Sequence, residues 1–560
     1  MKANEYNISS EKFVLVGKNR QIHDKELSTK PISYFADAFS RFKKNKASIV
    51  ATIIIGFLIL FAIVGPMLSP YKVSYTDGYY KYTLPKNELF VSMGLDFWDG
   101  CSNKETTAQD FLYYYGIGYE TGDNVIVDQQ YTSEERLNNK KQKTTYYSYK
   151  VDSYKLTGVV FMNLSVEQYK ALQEYQNKTG IQIIYPITSE HLRPKSEIDN
   201  STANYWYETT FVNGKTKIPE PKGNEPVENS FKNIYAYKMT AEEINAYLES
   251  IKPASDATQD EKNFYATAES FLYTMLREGD GNYNSLRIDG DNGQYYYGLK
   301  NTSGYQVRVN YYEYYHYYHS EILKDGIEYP SFIFGTTHSG QDIFTCLSGG
   351  ARFSFILAII VASINLFVGA IYGAIEGYYG GKIDIIMERF VDILSAVPFM
   401  VVITLLKYHM KDSGQVLILF IAFFLTGWIG MAGRTRMQFY RFKNQEYVLA
   451  ARTLGASDVR IMFKHIFPNA LGTLITSCVL VIPSVIFSET SLSYLGIINL
   501  NTGDTTSVGT LLANAQPYLV QYPHMIFFPA LFICLLMLSF NLFGNGLRDA
   551  FNPSLRGTED

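Results

Sequence analysis

Side chains that could make or break bonds are thinly spread along these 560 residues. The closest pair among eight histidines is His316 and His319, three apart in a run of tyrosines. Imidazoles at that spacing share a helix face and can hold a metal. No third ligand lies near them in sequence, a packed or exposed histidine is the commoner state, and no metal site is assigned. Cys101, Cys346, Cys478 and Cys534 match neither a zinc spacing nor a disulfide framework and read as unpaired thiols. There is no Ser-His-Asp arrangement, no H-E-x-x-H and no G-x-x-x-x-G-K-[ST]. The chain is therefore not expected to be an enzyme, to hold a cofactor, or to hydrolyse a nucleotide. A net charge of −4 gives no reason to expect a nucleic-acid partner.

The most informative spacing is mechanical. Residues 446–469 read EYVLAARTLGASDVRIMFKHIFPN. Val448, Ala451 and Leu454 recur at helical spacing, and Gly455 is placed to end that helix, since glycine turns left-handed without strain. Ser457 and Asp458 can cap a second helix running toward Pro468. Two short helices at an angle are expected; periodicity alone equally allows an ordinary amphipathic connector. A second set is polar or kinking residues inside apolar runs: Glu489, Asn541, Pro398 and Pro483. Polar groups at membrane depth usually face a protein interior, because lipid cannot satisfy them. Glu489 could serve a pathway or simply make a structural hydrogen bond, and the prolines could line a path or merely bend helices.

These residues need elements to hold them, and hydropathy supplies the elements. Mean hydropathy is near zero, but it hides a segregation. Ala47–Gly65, Phe353–Ile375, Val416–Gly433, Ala470–Ser488 and Met525–Leu547 are uncharged stretches near the length that spans a bilayer. A weaker sixth, Met387–Leu406, begins with Glu388, Arg389 and Asp392 and contains Pro398. The first run starts late and lacks a cleavage site, so an uncleaved anchor is expected rather than a signal peptide. Arg41, Lys43, Lys44 and Lys46 precede it, and seven further cations, Arg434 to Lys464, crowd the segment after the fourth. The loop Thr490–Pro523 has no lysine or arginine. Both termini and residues 434–469 are thus expected in the cytoplasm. Phe35, Ala38, Phe39 and Phe42 form one apolar stripe before the first span, read as a short interfacial helix or, alternatively, an extension of that span.

The 446–469 stretch resembles the EAA loop of ABC-importer permeases: Ala450, Ala451, Gly455 and Pro468 fit its spacing, although Leu449 stands where the acidic residue is expected. Gly369, Gly373, residues 376–381 (EGYYGG), Asp384, Arg389, residues 489–496 (ETSLSYLG) and 541–553 (NLFGNGLRDAFNP) resemble the dipeptide/oligopeptide permeases. Ser69–Tyr71 (SPY) and the basic segment before the first helix resemble the C-type member of the permease pair, in a likeness covering about residues 31–71 and 335–556. Thr337, Asn545 and Val508 depart from the pattern. The resemblance implies an all-α polytopic membrane protein with six transmembrane helices and a type I ABC-importer permease fold. It implies a second, B-type permease, two ATP-binding subunits that bind ATP and magnesium, a substrate-binding lipoprotein, a peptide substrate and membrane lipid as partners. It places Tyr447, Ala450, Ala451, Arg452, Gly455, Ala456, Asp458, Arg460 and Pro468 at the ATPase contact. A nickel or metal-chelate permease of the same family is the nearest alternative, and a membrane-anchored receptor or adhesin a more distant one.

The expected organisation is a cytoplasmic segment 1–46, a first transmembrane helix in 47–71, an insertion 72–334, helices two to six in 335–550 with the coupling loop 434–469, and a tail 551–560. Orientation puts the insertion outside the cell. It holds most of the 47 tyrosines, which argues against disorder. Its reading is α+β: strands at 155–162 and 181–185, a helix from Ser165 with a Gln168 capping box, helices from Thr240 with Glu243 and over 260–277, and a hairpin of 294–299 with 305–315. Tyrosine-rich surfaces suit docking of the lipoprotein or partner permease, or capture of peptide or glycan; a tyrosine-rich core is the plain alternative.

Overall fold

A computed structural model describes residues 34–138, 141–185, 210–212, 215–217, 246, 248–263, 265–266, 287–289, 295–297, 299–300, 304–501 and 506–551. Helix α1 (Tyr34–Lys44) and helix α2 (Lys46–Leu68) are separate. Asn45 divides them: its side chain accepts from the Ala47 and Ser48 amides and starts α2. The extension alternative for the apolar stripe is therefore not what forms. Ala38 and Phe42 are buried against the end of the last helix, beside Phe543, Leu547 and Ala550, while Phe39 stays exposed.

The insertion then begins with the short helix α3 (Glu88–Ser92). Strand β1 (Cys101–Thr107), helix α4 (Ala108–Thr121) and strands β2 (Ile126–Leu137) and β3 (Lys143–Asp152) follow. The three strands form an antiparallel sheet in the order β1-β3-β2. Phe111 on α4 stacks on Tyr147 of β3, with ring centroids 4.2 Å apart, and the two close a small core. Strand β4 (Val159–Leu164), helix α5 (Val166–Thr179) and strand β5 (Ile184–Tyr185) come next. The Ser165–Gln168 capping box forms as expected, and Gly180 stops α5 at φ +74. Such a cap is worth about 1 kcal/mol.

Two small pairs, β6 (Thr210–Val212) with β7 (Lys215–Lys217) and β8 (Arg287–Asp289) with β9 (Tyr295–Tyr297), are antiparallel. Strands β10 (Leu299–Lys300) and β11 (Tyr305–Asn310) form a hairpin, but the expected first strand 294–299 is not one piece: Tyr295–Tyr297 belong to β9 and pair with β8, and only Leu299–Lys300 pair with β11, which also pairs with β4 and β5. Other strand bounds also need correction: the strand expected over 181–185 is reduced to Ile184–Tyr185. Lys155–Thr157 is a turn, with β4 starting at Val159. The second hairpin strand ends at Asn310, whose side chain caps Tyr312 and opens helix α6 (Tyr311–Tyr317). Thr240, Glu243, residues 267–277 and the turn 301–303 lie outside the described residues, as do Asn552, Pro553 and Arg556.

The remainder is helical: α7 (Ile343–Tyr379), α8 (Gly381–Ser395), α9 (Phe399–His409), α10 (Gln415–Phe442), α11 (Glu446–Thr453), α12 (Asp458–Tyr494), α13 (Val508–Ala515) and α14 (His524–Phe551). Helices α2, α7, α10, α12 and α14 are each long and apolar enough to cross a membrane. The weak sixth run is a broken element: α8 and α9 meet at 71° around Pro398. At 1.5 Å per residue α7 and α12, 37 residues each, are about 55 Å long, so both overrun a hydrocarbon layer of about 30 Å.

Close approach of α7 and α10 depends on small residues. A Cβ at Gly369, Gly373 or Gly377 would strike the backbone of Trp428, Ala432 or Arg436. That is the spacing by which membrane helices pack without a hydrophobic drive. The insertion rests on the same bundle. Tyr82 stacks on Tyr522, 4.5 Å between centroids, and Phe334 on Phe528, 4.0 Å.

Candidate functional site

The 446–469 stretch folds into an elbow at one end of the bundle. Helix α11 stops in a Schellman arrangement. The Gly455 amide donates to Arg452, the Ala456 amide donates to Ala451, both at 3.0 Å, and Gly455 sits at φ +79. A Cβ at Gly455 would meet nothing within 4 Å, so the glycine is required by backbone conformation and not by packing inside this chain. A left-handed non-glycine residue costs about 1 kcal/mol.

Two details differ from the expectation. Ser457 occupies the N-cap position but makes no side-chain cap. Asp458 instead accepts a hydrogen bond from the Tyr378 hydroxyl at 2.6 Å. The second arm is also not a short helix ending at Pro468. It is the start of α12, continuous through a π turn at Ile461–Ile466. The wide turn gives the proline ring room where a regular α-turn would clash with it.

The elbow has a firm inner face and a bare outer one. Val448, Ile461, Met462 and Ile466 are buried with Ala374, Tyr378 and Phe439 of α7 and α10. The Arg452 guanidinium lies over the Tyr378 ring, 5.8 Å from its centre. The Tyr447 hydroxyl accepts from Asn469 Nδ2 at 3.2 Å, tying the two arms together, and burial raises its pKa. Outward, Leu454 is 88% exposed, Val459 62% and Leu449 46%. Ala450, Arg452, Gly455, Asp458, Arg460 and Pro468 are exposed, with Ala451 and Ala456 half-buried.

Behind the elbow lies a charged knot that sequence reasoning missed. Arg436 of α10 reaches Asp384 at 2.7 Å and Glu388 at 3.0 Å on α8, and Glu376 at 3.5 Å on α7. The Tyr440 hydroxyl donates to Asp384 at 2.5 Å, and Lys443 donates to the Gly377 carbonyl at 3.0 Å. The signal was present as Arg436, Tyr440 and Lys443 on one helical face, opposite an acidic run. Arg389 instead pairs with Asp392 at the surface.

The remaining candidates do not form one group. Glu489 is fully buried and accepts from Ser354 at 3.1 Å and Ser493 at 3.0 Å, which joins α12 to α7. Pro483 is buried in the same helix. Pro398 and Asn541 are exposed on other helices. The two histidines are engaged separately: His316 with the Glu328 carbonyl at 2.6 Å, His319 with Asp325 at 2.7 Å.

Residues 366–557 match the family model described as binding-protein-dependent transport system inner membrane component. Residues 33–85 match the N-terminal transmembrane domain of oligopeptide transport permease C. Over 223 residues the chain is 45% identical to an oligopeptide transport system permease protein of Bacillus subtilis, covering 40% of this chain and 72% of that one. A dipeptide transport system permease protein of the same organism is 40% identical over 224 residues, 40% of this chain and 69% of that one. A chain of an inward-facing methionine ABC transporter superposes with a TM-score of 0.31 and 13% identity, covering 37% of this chain and 96% of the other.

Proposed function

The chain belongs to the inner-membrane permeases of binding-protein-dependent transport systems, as a C-type multi-pass subunit, and on that premise we propose that it forms half of the translocation pathway of an ABC importer for oligopeptides or dipeptides. Relatives named for oligopeptide and dipeptide transport favour peptide over nickel or a metal chelate. The second half of the path belongs to a B-type permease, and a substrate-binding lipoprotein delivers the cargo. Two ATP-binding subunits hold ATP and magnesium and supply the stroke.

The observation that carries the coupling role is the elbow: exposed apolar side chains on a base packed against α7 and α10 and continuous with α12. Leu449, Leu454 and Val459 fit an apolar groove on the ATPase, with Arg452 and Arg460 steering the approach. Displacement of the elbow then moves three spanning helices together, which is how a rigid-body change crosses the membrane. Six spans result when α8 and α9 count as one. The cation distribution supports cytoplasmic termini and elbow, and an insertion outside the plasma membrane. We assign the insertion to docking of the lipoprotein or partner permease.

Gly455→Trp is expected to abolish uptake of labelled peptide and co-purification of the ATPase while membrane insertion stays normal. Leu454→Asp, at a side chain with almost no contacts in this chain, should lower both at least about tenfold, equivalent to about 1.4 kcal/mol of binding. Undiminished uptake by both variants refutes the docking assignment.

A further inference from the structure

Residues Asn87–Trp98 form a small closed loop with an unusual surface. The Asn87 side chain caps α3 by accepting from the Phe90 amide at 3.2 Å, and the Asn87 amide donates to the Trp98 carbonyl at 2.9 Å, shutting the loop at its base. Trp98 is held from within: its ring packs edge-on against Phe90, 5.0 Å between centroids, and its indole N–H donates to the Ile333 carbonyl at 2.8 Å. Between these fixed ends the apolar side chains point away from the protein. Met93 is 69% exposed, Leu89 64% and Phe97 52%, with Val91 and Leu95 exposed beside them. Five exposed apolar residues fall within nine positions, a concentration of bare apolar surface that points to something covering it.

The loop's position gives its depth. Phe97 lies 6.5 Å from Phe527 and 6.1 Å from Phe528, and Trp98 lies 6.3 Å from Phe528. Phe527 and Phe528 are in the first turn or so of α14, about 5 Å along the axis from its start at His524. The loop therefore sits at the mouth of a spanning helix and not above it. Phe97 thus neighbours the outward face of α14, where Phe527 and Leu531 are themselves exposed. An aromatic ring with its N–H satisfied at this level is typical of the membrane–water boundary.

We propose that Leu89, Val91, Met93, Leu95 and Phe97 form a wedge that inserts into the lipid leaflet at the His524 end of α14, at the headgroup–acyl boundary. The occupant is the bilayer, because the patch prolongs a face of a helix that crosses it. Glu88 precedes the wedge and Asp96 lies between Leu95 and Phe97, and both carboxylates stay with the headgroups. The wedge gives the insertion a further attachment to the membrane besides its two chain connections, restraining its tilt over the bundle. The inference depends only on α14 being a spanning helix, and holds whatever the cargo.

The test uses the full chain in phosphatidylcholine–phosphatidylglycerol vesicles, with its four cysteines replaced by alanine. A fluorophore is attached at Met93→Cys or, as control, at the equally bare Leu137→Cys. Lipid carrying a nitroxide near the headgroup is expected to quench the Met93→Cys label at least about threefold more than the control, and aqueous iodide the reverse. In the native chain, brominated phosphatidylcholine should quench a Trp98 component that Trp98→Phe removes. Equal iodide quenching at both sites overturns the proposal. So does cross-linking of a benzophenone on Met93→Cys to a second protein subunit of the assembled importer instead of lipid.

Discussion

Arg436 faces three carboxylates, and the balance at that point decides more than any single bond. Its side chain is about a quarter exposed and that of Asp384 about an eighth. Exposed ion pairs contribute about 0–1 kcal/mol, whereas breaking a buried one costs about 3–5 kcal/mol. This partly buried case falls between them. Arg436→Ala leaves Glu376, Asp384 and Glu388 crowded without a cation and is expected to cost about 2–3 kcal/mol in detergent unfolding. Arg436→Ala with Asp384→Asn should lose less than the sum of the two singles, because the repulsion is relieved; strict additivity would show the pair to be uncoupled.

Asp342 offers a pH test. It caps α7 by accepting from the Phe344 and Thr345 amides, yet burial pushes its pKa up to about 6. A folded-state pKa above the ordinary carboxylate value near 4 means that the folded chain binds the proton more tightly than the unfolded one. Its contribution to stability is therefore present at low pH and lost as pH rises from about 4 to about 6. Asp342→Asn keeps an acceptor for the cap and should flatten that part of the stability–pH curve.

At the scale of elements, apolar run length exposed five of the long helices, because each run has to fill one hydrocarbon thickness. It did not reveal the bend between α8 and α9. A hydropathy window measures composition and carries no direction, and only Pro398 and the charges at 388–392 marked the site. Pro468 misled in the opposite sense. A proline normally terminates a helix, but the π turn before it lets the elbow run unbroken into α12. The elbow's angle was legible from Gly455; its continuity with a spanning helix was not. In the insertion, tyrosine suits strand and helix alike, so the switch from β11 to α6 turned on one residue, Asn310.

The glycine row on α7 carries a prediction of its own. A side chain at Gly373 would collide with the Ala432 backbone, which has no rotamer to give. Gly373→Leu is expected to force α7 and α10 apart and cost at least about 3 kcal/mol. Gly56→Leu, where a Cβ meets nothing within 4 Å, should change the unfolding temperature little.

For the whole molecule, the decisive feature is how the insertion joins the bundle. Its two connections are bonded to each other. The Lys86 amide donates to the Phe332 carbonyl at 2.9 Å, the Thr83 amide to Thr336 Oγ1 at 2.8 Å, and the Asp77 amide to the Gly340 carbonyl at 3.1 Å. Replacing residues 87–331 by a short glycine–serine turn should therefore leave membrane insertion and ATPase association unchanged while the docking proposed for the insertion is lost. Failure of the shortened chain to reach the membrane would show that the bundle needs its insertion to fold.

That zipped stem sets a boundary condition on history as well as mechanics. Segments that leave and return through neighbouring points ask nothing of the membrane helices they join, whatever is hung between them. A lineage can enlarge, exchange or discard the headpiece as one unit, and the engine beneath keeps its gearing.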